Sequence, residues 1–291
     1  MIGALGDIHG AFDAARQIIA THPAVPFWLC VGDIADDPST WLGARAIYES
    51  LGAPVYWIHG NNDNFDAIAS GDLPEDLHHI DNGTMITIGA SKDAPYGGGN
   101  TGASGDAPYG GGNTGASGDA PDDARIGASK DAPYGRKISE DVGHVFRRAS
   151  LTVAGLGGTF APTWYETAAA DLPHPKKGSA KATELADKRR HFVRAEVEAC
   201  KALRDIDIFM THEAPKPFRP FPGGKGPDAG KAQVNEILAA MQPRLHLFGH
   251  HHRFSEQTVE GVRSLGLDLV TRSYLLIDPA TFDLELVTVK Y

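Results

Sequence analysis

The amino-acid sequence predicts a layered α/β fold. The first observation is that short apolar segments alternate with amphipathic ones, which is typical of strands and helices that follow one another along the chain. The second is that the strand patterns near the end of the chain follow one another without helices between them. Alternating elements favour a sheet covered by helices, and consecutive strands favour antiparallel pairing. We therefore expect layers of helix and sheet, with a sheet that ends in antiparallel strands.

The predicted elements follow this alternation in order. The first half contains an apolar strand at residues 1–6, an amphipathic helix at 12–20, a buried strand at 27–31, a helix at 40–50 and a strand at 55–58. The second half contains strands at 151–155, 206–210 and 245–248, a long polar helix at about 180–203 and a helix at 232–241. The last forty residues alternate shorter strand patterns, including those at 274–277 and 284–289.

A nearly identical repeat of 13 residues interrupts the α/β pattern at residues 89–135. These 47 residues contain 13 of the 34 glycines and few large apolar side chains. Such a segment cannot bury enough apolar surface to offset the conformational entropy that ordering would cost. We expect it to be a flexible loop, without chemistry of its own, inserted into a single domain that spans residues 1–291.

The composition excludes several classes of protein. A chain of 291 residues that is 42% hydrophobic is neither wholly disordered nor collagen-like. Its formal net charge of -10 disfavours indiscriminate binding to nucleic acid or anionic membranes. No apolar run approaches the roughly 18 residues of a membrane helix, and we expect no signal peptide before the first strand. Because Cys30 and Cys200 lie in or beside apolar runs, we expect reduced thiols and a cytoplasmic protein with no membrane association.

Residues that can bind metal ions follow five of the predicted strands. The segments are GDIHG at 6–10, GD at 32–33, GNND at 60–63, TH at 211–212 and GHHH at 249–252. The carboxyl ends of parallel strands are where α/β folds place their sites. Oxygen and imidazole ligands suit divalent ions such as Mn, Fe, Zn or Ni. The candidate ligands are Asp7, His9, Asp33, Asn61, His212, His250 and His252.

These five segments, in this order, resemble the motifs of calcineurin-like metallophosphoesterases, which read D-x-H, G-D, G-N-H-D/E, a later His and G-H-x-H. Two further stretches, at 155–160 and 189–215, are similar to the branch related to RNA-lariat-debranching phosphodiesterases. The family resemblance implies a four-layer α/β/β/α sandwich of two mixed sheets with a two-metal site at their edge. It also implies hydrolysis of a phosphate ester by direct attack of a metal-bridging hydroxide.

The resemblance implies a ligand set for two divalent metal ions. By position-by-position carry-over, Asp7, His9 and His252 would hold one ion, Asn61, His212 and His250 would hold the other, and Asp33 would bridge the two. Two divalent ions, two carboxylates and one hydroxide leave a formal charge of about +1. This residual charge would attract a phosphate anion.

One position departs from the family pattern. Where relatives have a His that protonates or steadies the leaving group, this chain has Asn62. A neutral amide can donate a hydrogen bond to a phosphoryl oxygen but cannot act as a general acid, whose loss costs about 10² to 10⁴ in rate. Since poor alkoxide leaving groups would suffer most, we expect a phosphodiesterase. His59 or His251 could replace the missing His, and Asp63 is expected to cap a helix that starts near Phe65.

A basic segment at residues 176–194 leaves two interpretations open. It contains seven of the 27 lysines and arginines. It is either a solvated helix face or a cover that binds substrate phosphates or a nucleic-acid backbone. His174, just before this segment, and His191, within it, could reach the leaving group.

The leading prediction is a metal-dependent phosphoesterase acting on a phosphate ester, with nucleotides and RNA among the candidate substrates. One alternative is a catalytically weak or inactive scaffold or regulatory module with the same fold. Another is a nucleic-acid-processing phosphodiesterase that uses the basic segment. Metal content distinguishes the active phosphoesterase from the scaffold, and salt-sensitive binding to RNA would identify the nucleic-acid-processing enzyme. No protein partner can be predicted.

Overall fold

Two six-stranded mixed sheets, flanked by helices, carry the candidate site. The computed structural model describes residues 1–35, 47–89, 150–172, 188–221 and 226–290. All of these residues belong to one compact unit that comprises residues 1–99 and 149–291. Apart from Gly89, the repeat insert predicted at 89–135 lies outside the described residues.

The first sheet combines four parallel strands with two antiparallel ones. Its strands are β1 (Ile2–Leu5), β2 (Trp28–Cys30), β3 (Val55–Trp57), β4 (Leu77–His79), β13 (Ser273–Ile277) and β14 (Leu284–Thr288). Their order across the sheet is β14-β13-β1-β2-β3-β4. Strands β1 to β4 run parallel, whereas β13 is antiparallel to β1 and β14 is antiparallel to β13. The antiparallel edge predicted from the last strand patterns is therefore confirmed.

The second sheet has four parallel strands between two antiparallel edges. Its strands are β5 (Met85–Gly89), β6 (Ser150–Leu156), β9 (Ile208–Thr211), β10 (Leu245–Phe248), β11 (Ser255–Val259) and β12 (Val262–Gly266). Their order is β11-β12-β10-β9-β6-β5, with β11 and β5 antiparallel to their neighbours. Two short strands, β7 (Thr159–Phe160) and β8 (His191–Phe192), pair in parallel as a separate small sheet.

Helices cover the outer faces of the two sheets. The α-helices are α1 (Phe12–Thr21), α2 (Phe65–Ser70), α3 (Arg194–Ala202) and α4 (Ala232–Met241). Helix α1 packs on the first sheet, and α3 and α4 pack on the second. Among the described residues, no helix is long and apolar enough to cross a membrane.

Apolar side chains fill the space between the two sheets as well as the space under the helices. In β2, Leu29 joins the cluster between the sheets, while Trp28 and Cys30 join the cluster under α1. On the second sheet, Leu247 lies in the cluster between the sheets and Phe209 lies under the helices. Because successive side chains of a strand point to opposite faces, the parallel strands β1, β2, β9 and β10 are buried on both sides. The layers are helix, sheet, sheet and helix, which confirms the predicted four-layer sandwich.

Two of the predicted helices differ from the structure. Of the helix predicted at about 180–203, only Arg194–Ala202 is α-helical among the described residues, and Lys188–Arg190 forms a 3₁₀ turn. His191–Phe192 is instead a strand, because it pairs with Thr159–Phe160 in a tertiary contact that overrides local helix propensity. Of the helix predicted at 40–50, residues 47–50 are not helical and 40–46 lie outside the described residues.

A neutral histidine is built into the core of the second sheet. His246 is fully buried in β10 between two phenylalanine rings, and its ring nitrogens lie 2.8 Å from Thr211 Oγ1 and 3.1 Å from Ser264 Oγ. The Thr211 hydroxyl donates to the Glu213 carbonyl, so Nε2 of His246 must be the donor to Thr211. Burial lowers the pKa of His246 to about 3, which keeps the ring uncharged in the folded protein.

We expect His246→Gln to reduce the acid sensitivity of folding. The unfolded chain protonates this ring near pH 6.5, whereas the folded chain does so only near pH 3, so the stabilising contribution is complete above pH 6.5 and falls as the pH drops towards 3. The free energy of unfolding can be measured by urea denaturation at several pH values between 7 and 4.5. It should depend less steeply on pH in the variant than in the wild type, by up to about 1.4 kcal/mol per pH unit. The partly exposed His22 provides the control, His22→Gln. Equal slopes for wild type and His246→Gln would contradict the prediction.

Candidate metal centre

The predicted ligands lie at the carboxyl ends of strands from both sheets. Strands β1, β2 and β3 are parallel, as are β9 and β10, so the ends within each set lie at one edge of their sheet. The first sheet contributes Asp7, His9, Asp33 and Asn61, and the second contributes His212, His250 and His252. The structure brings six of the seven together in two groups of three, and Asn61 contacts one of these groups.

The first group consists of Asp7, His9 and His252. The three ligand atoms lie within 4.8 Å of one another. Nε2 of His252 is 3.0 Å from Asp7 Oδ2 and 3.0 Å from Nε2 of His9. Asp7 is buried, whereas His252 is partly exposed, so the group opens towards solvent on the His252 side.

The second group consists of Asp33, His212 and His250, again within 4.8 Å of one another. Nε2 of His212 lies 3.4 Å from Asp33 Oδ2 and 3.2 Å from the amide oxygen of Asn61. The other ring nitrogen of His212, Nδ1, lies 2.9 Å from the carbonyl oxygen of Val31. A bond from Nδ1–H to this carbonyl orients the ring and directs Nε2 towards Asp33 and Asn61.

Asp33 lies between the two groups. Its Oδ2 atom is 3.4 Å from Nε2 of His212 in the second group and 3.7 Å from Nε2 of His9 in the first. One carboxylate oxygen is therefore within reach of ligands from both. This is the position expected of the residue that the family resemblance implies as the bridge.

The donor set fits divalent metal ions. Unprotonated imidazole nitrogens and carboxylate oxygens carry lone pairs, so the convergence of His9, His252 and Asp7 at 3.0 to 3.9 Å requires protons or a cation between them. Imidazole and carboxylate ligands suit Mn, Fe, Zn or Ni, and no thiolate lies in either group. The two groups could therefore hold two ions.

The electrostatics of the second group follow from the contact between Asp33 and His212. Burial lowers the pKa of His212, but the negative charge of Asp33 outweighs it and raises that pKa to about 10. Burial raises the pKa of Asp33, yet the positive charge of His212 holds it well below its usual range. Burial lowers the pKa of His250 to about 3. Because a coordinating imidazole nitrogen must be unprotonated, metal binding to this group would displace a proton from His212.

Four of the seven predicted ligands adopt left-handed backbone conformations. The φ angles are 47° at His9, 48° at Asp33, 68° at His250 and 48° at His252. Such conformations cost on the order of 1–3 kcal/mol each in non-glycine residues and persist where the surrounding structure imposes them. Four of the eight non-glycine residues with positive φ in the described chain are therefore candidate ligands, and a group of strained residues at one place is typical of functional sites.

Two glycines give the ligand carboxylates the space that they need. A Cβ atom on Gly60 would lie 2.0 Å from Oδ1 of Asp33, and one on Gly249 would lie 2.4 Å from Oδ1 of Asp7. Neither glycine has a positive φ, so close approach rather than backbone conformation requires them. The glycines that open the GNND and GHHH motifs therefore have a steric role in the site.

Hydrogen bonds fix Asp33 on several sides. Its Oδ1 accepts from the backbone N–H of Asn62 at 2.8 Å, and its Oδ2 accepts from the Asn62 side-chain amide at 3.1 Å. Its carbonyl oxygen accepts from the N–H groups of Ile8 at 3.0 Å and His9 at 2.8 Å. Asn62, predicted as the catalytic residue, thus lies against the candidate bridging carboxylate.

Asp63 does not cap helix α2, contrary to the prediction. The helix starts at Phe65 as expected, but its N-cap is Asn64, whose side chain accepts from the N–H of Ala67 at 3.2 Å. The carboxylate of Asp63 is buried and instead accepts from backbone N–H groups near two ligands, including those of Asp33 and Gly60. Sequence reasoning missed this role, and the one available signal was its position two residues after Asn61.

The histidines considered as replacements for the missing family His have other contacts. Nδ1 of His59 lies 3.2 Å from Nε2 of His79, and burial lowers the pKa of His59 to about 3. The ring of His251 stacks on Phe218 with centroids 4.6 Å apart, and burial lowers its pKa to about 4. His191 contacts the Thr159 hydroxyl at 3.0 Å. His174 lies outside the described residues.

The described part of the basic segment is engaged in contacts within the protein. Arg189 pairs with Asp66 at 2.9 Å, and Lys188 lies over the ring of Trp164. Arg194 forms a bidentate pair with Glu166. These contacts support the interpretation as a solvated, internally paired face. Lys176, Lys177 and Lys181 lie outside the described residues.

We expect Gly60→Ala to weaken metal binding. The added methyl group would overlap Oδ1 of Asp33 and displace the carboxylate that both groups share. Mn2+ affinity measured by isothermal titration calorimetry should fall by about 10- to 100-fold, the range seen when the support of a ligand is disturbed. Gly89→Ala is the matched control, because a Cβ there meets no atom within 4 Å. Unchanged affinity in Gly60→Ala would argue against Asp33 as a shared ligand.

Solved structures share the fold of this chain. TT1561 of Thermus thermophilus matches 99% of this chain and 98% of its own, with a TM-score of 0.52 and 14% identity. A second solved structure has the same TM-score and coverage at 10% identity. At such identities the likeness shows the fold alone. A dimetal phosphatase from Danio rerio, matched over 99% of this chain and 92% of its own, has a TM-score of 0.41 and 12% identity. No curated protein sequence matches this chain significantly.

The first part of the chain is similar to a known family. Residues 1–117 match the family model described as calcineurin-like phosphoesterase. This part contains the GDIHG, GD and GNND motifs. The TH and GHHH motifs lie beyond the matched residues, and the fold brings their histidines into the same two ligand groups. Residues 1–117 of this chain are therefore similar to calcineurin-like phosphoesterases.

Proposed function

We propose that this chain is a metal-dependent phosphoesterase that uses two divalent ions and prefers phosphodiesters. The observation that carries the proposal is the arrangement of two ligand groups around Oδ2 of Asp33. Asp7, His9 and His252 would hold one ion, Asn61, His212 and His250 the other, and Asp33 would contact both. When bound, the two ions would supply Lewis-acid polarisation of the phosphoryl oxygens and lower the pKa of a water molecule.

The ligand set would leave the site attractive to anions. Of the seven proposed ligands, only Asp7 and Asp33 carry negative charge, and the remaining five are neutral when coordinating. Two buried carboxylates cancel half of the formal charge of two divalent ions. A phosphate ester would therefore be drawn to the partly exposed side, where His252 lies.

The preference for diesters rests on Asn62. Its side-chain amide donates to Oδ2 of Asp33, so one of its two N–H groups is used within the protein. The second N–H could donate to a phosphoryl oxygen, but the amide has no proton to give to a leaving alkoxide. Esters with good leaving groups, or strained cyclic diesters, depend least on such a proton. Nucleotides and RNA linkages are the substrates to include in a first screen.

We propose manganese as the first ion to test, because imidazole and carboxylate ligands without a thiolate suit it. A cytoplasmic location is supported by the two cysteines, Cys30 and Cys200, which are both buried and both free thiols.

The scaffold alternative is not favoured, because the candidate ligands converge. The nucleic-acid alternative is not favoured, because Arg189 and Arg194 pair with carboxylates.

We expect the purified protein with Mn2+ to hydrolyse bis-p-nitrophenyl phosphate, and Asp33→Ala to abolish this activity. The substitution removes a carboxylate that lies within reach of both ligand groups. Release of p-nitrophenol is the measurement, and p-nitrophenyl phosphate, assayed in parallel, should be the poorer substrate. Asp72→Ala, which alters an exposed carboxylate, is the control. Activity that survives in Asp33→Ala would refute the assignment.

We expect Asn62→His to broaden the range of leaving groups. An imidazole can supply the proton that the amide lacks, and general-acid help is worth about 10² to 10⁴ in rate. The rate with a methyl p-nitrophenyl diester should change little, whereas the rate with a dialkyl diester or an alkyl monoester should rise at least about tenfold. Asn62→Ala serves as the control that removes the amide without adding a proton donor. Equal changes for good and poor leaving groups would contradict the role given to this position.

A further inference from the structure

We propose that Asp63 is a positioning residue that holds the first sheet's metal-binding turns in place before any metal binds. Asp63 belongs to neither ligand group. Its side chain is buried directly behind the turns that carry Asp33 and Asn61, and its own backbone continues the second of these turns. The role is distinct from that of a ligand, because its carboxylate contacts the protein backbone.

Both carboxylate oxygens of Asp63 accept bonds from the turns. Oδ2 accepts from the N–H of Asp33 at 2.9 Å and from that of Gly60 at 2.7 Å. Oδ1 accepts from the N–H groups of Ile34 at 3.1 Å and Ala35 at 3.2 Å. Three consecutive N–H groups after β2 and one after β3 thus converge on a single side chain. We call this set of four bonds the Asp63 clamp.

The clamp opposes the backbone strain at Asp33. A left-handed φ of 48° is unfavourable for this residue, and the bond from its N–H to Asp63 holds the turn in that conformation. Hydrogen bonds to a charged acceptor are stronger than those between neutral groups, and an uncompensated buried carboxylate would be strongly destabilising. Turn and carboxylate therefore stabilise each other.

Tyr48 fixes the orientation of the Asp63 carboxylate. Its hydroxyl donates to Oδ1 of Asp63 at 3.3 Å and accepts from the N–H of Asn64 at 3.0 Å. Its ring packs against Trp57 of β3, with centroids 5.3 Å apart. The hydroxyl therefore links the carboxylate to the start of α2, and the ring anchors this link to the sheet.

The clamp extends to a third turn through Asp33. The carbonyl oxygen of Asp33 accepts from the N–H groups of Ile8 and His9, so a shift of the Asp33 turn would move His9 as well. The ends of β1, β2 and β3 are connected in this way. All four bonds of the clamp come from turns that follow β2 and β3, so it organises the half of the centre that the first sheet contributes.

The first experiment needs no metal. Hydrogen exchange, read by NMR in the metal-free protein, should show protection of the N–H groups of residues 33, 34, 35 and 60. Asp63→Asn keeps the shape but replaces one acceptor oxygen by an NH2 group, so protection of at least two of the four should fall about tenfold or more. Asp72→Asn, at an exposed carboxylate, should leave it unchanged. Unchanged protection in Asp63→Asn would overturn the proposal.

The second experiment rests on the proposed function, because it measures Mn2+ binding. Calorimetry should give about 10- to 100-fold weaker affinity in Asp63→Asn, and excess Mn2+ should restore kcat, because the ligands themselves are intact. Leu247→Ala, a cavity variant between the sheets, should lose stability without losing Mn2+ affinity. Wild-type affinity in Asp63→Asn, or equal loss in Leu247→Ala, would overturn the positioning role.

The two experiments separate the two proposals. If the wild-type protein binds no metal, the proposed function fails, and the exchange measurement still decides whether the clamp exists. If Asp63→Asn does not fold, Tyr48→Phe replaces it, because it removes only the hydroxyl that orients the carboxylate. Reduced protection of the same four N–H groups would then support the clamp, and unchanged protection would refute it.

Discussion

The placement of the Asp33 carboxylate is the constraint on which both halves of the candidate centre depend. One of its oxygens lies within 4 Å of a histidine from each ligand group, so a small displacement would disturb both. The residue has a left-handed backbone, and its N–H, carbonyl and carboxylate groups all make hydrogen bonds to neighbouring turns. Only a site that is held from several directions can keep a strained residue at a fixed distance from two others.

The fold supplies this support by bringing strand ends together and removing side chains where they would interfere. Gly60 and Gly249 lie so close to ligand carboxylates that a single methyl group would collide with them. The apolar interior of the two-sheet sandwich fixes the strands, and the strands fix where each turn begins. Burial in the layers thus stabilises the fold, while four strained candidate ligands lie at the edge of the sheets. This division lets the turns adopt unfavourable conformations without loss of the fold.

Much of this arrangement could be predicted from local sequence patterns, and the rest depends on contacts between distant segments. Apolar strands followed by polar residues of the kind that bind metal ions are visible in the sequence, so β1, β2, β3, β9 and β10 and the residues that follow them were predictable. Strands β11 and β12 were predicted only as short strand patterns without bounds, because their polar side chains hide the alternation. The clamp at Asp63 was missed because three of its four bonds join residues about thirty positions apart, and no local pattern reports such a contact.

The geometry around Asp33 explains what Asn62 contributes at the position where the family pattern has a histidine. An amide at this position gives Asp33 a second hydrogen bond from the same residue, at a fixed distance and at every pH, because an amide does not titrate. A histidine would offer a donor whose tautomer and protonation vary with pH and with the charge of bound ions. The chain therefore has a more constant contact to the shared carboxylate in place of a group that could deliver a proton. Replacing a histidine by Asn62 costs little rate when the leaving group needs no proton, as in phosphodiesters with good leaving groups.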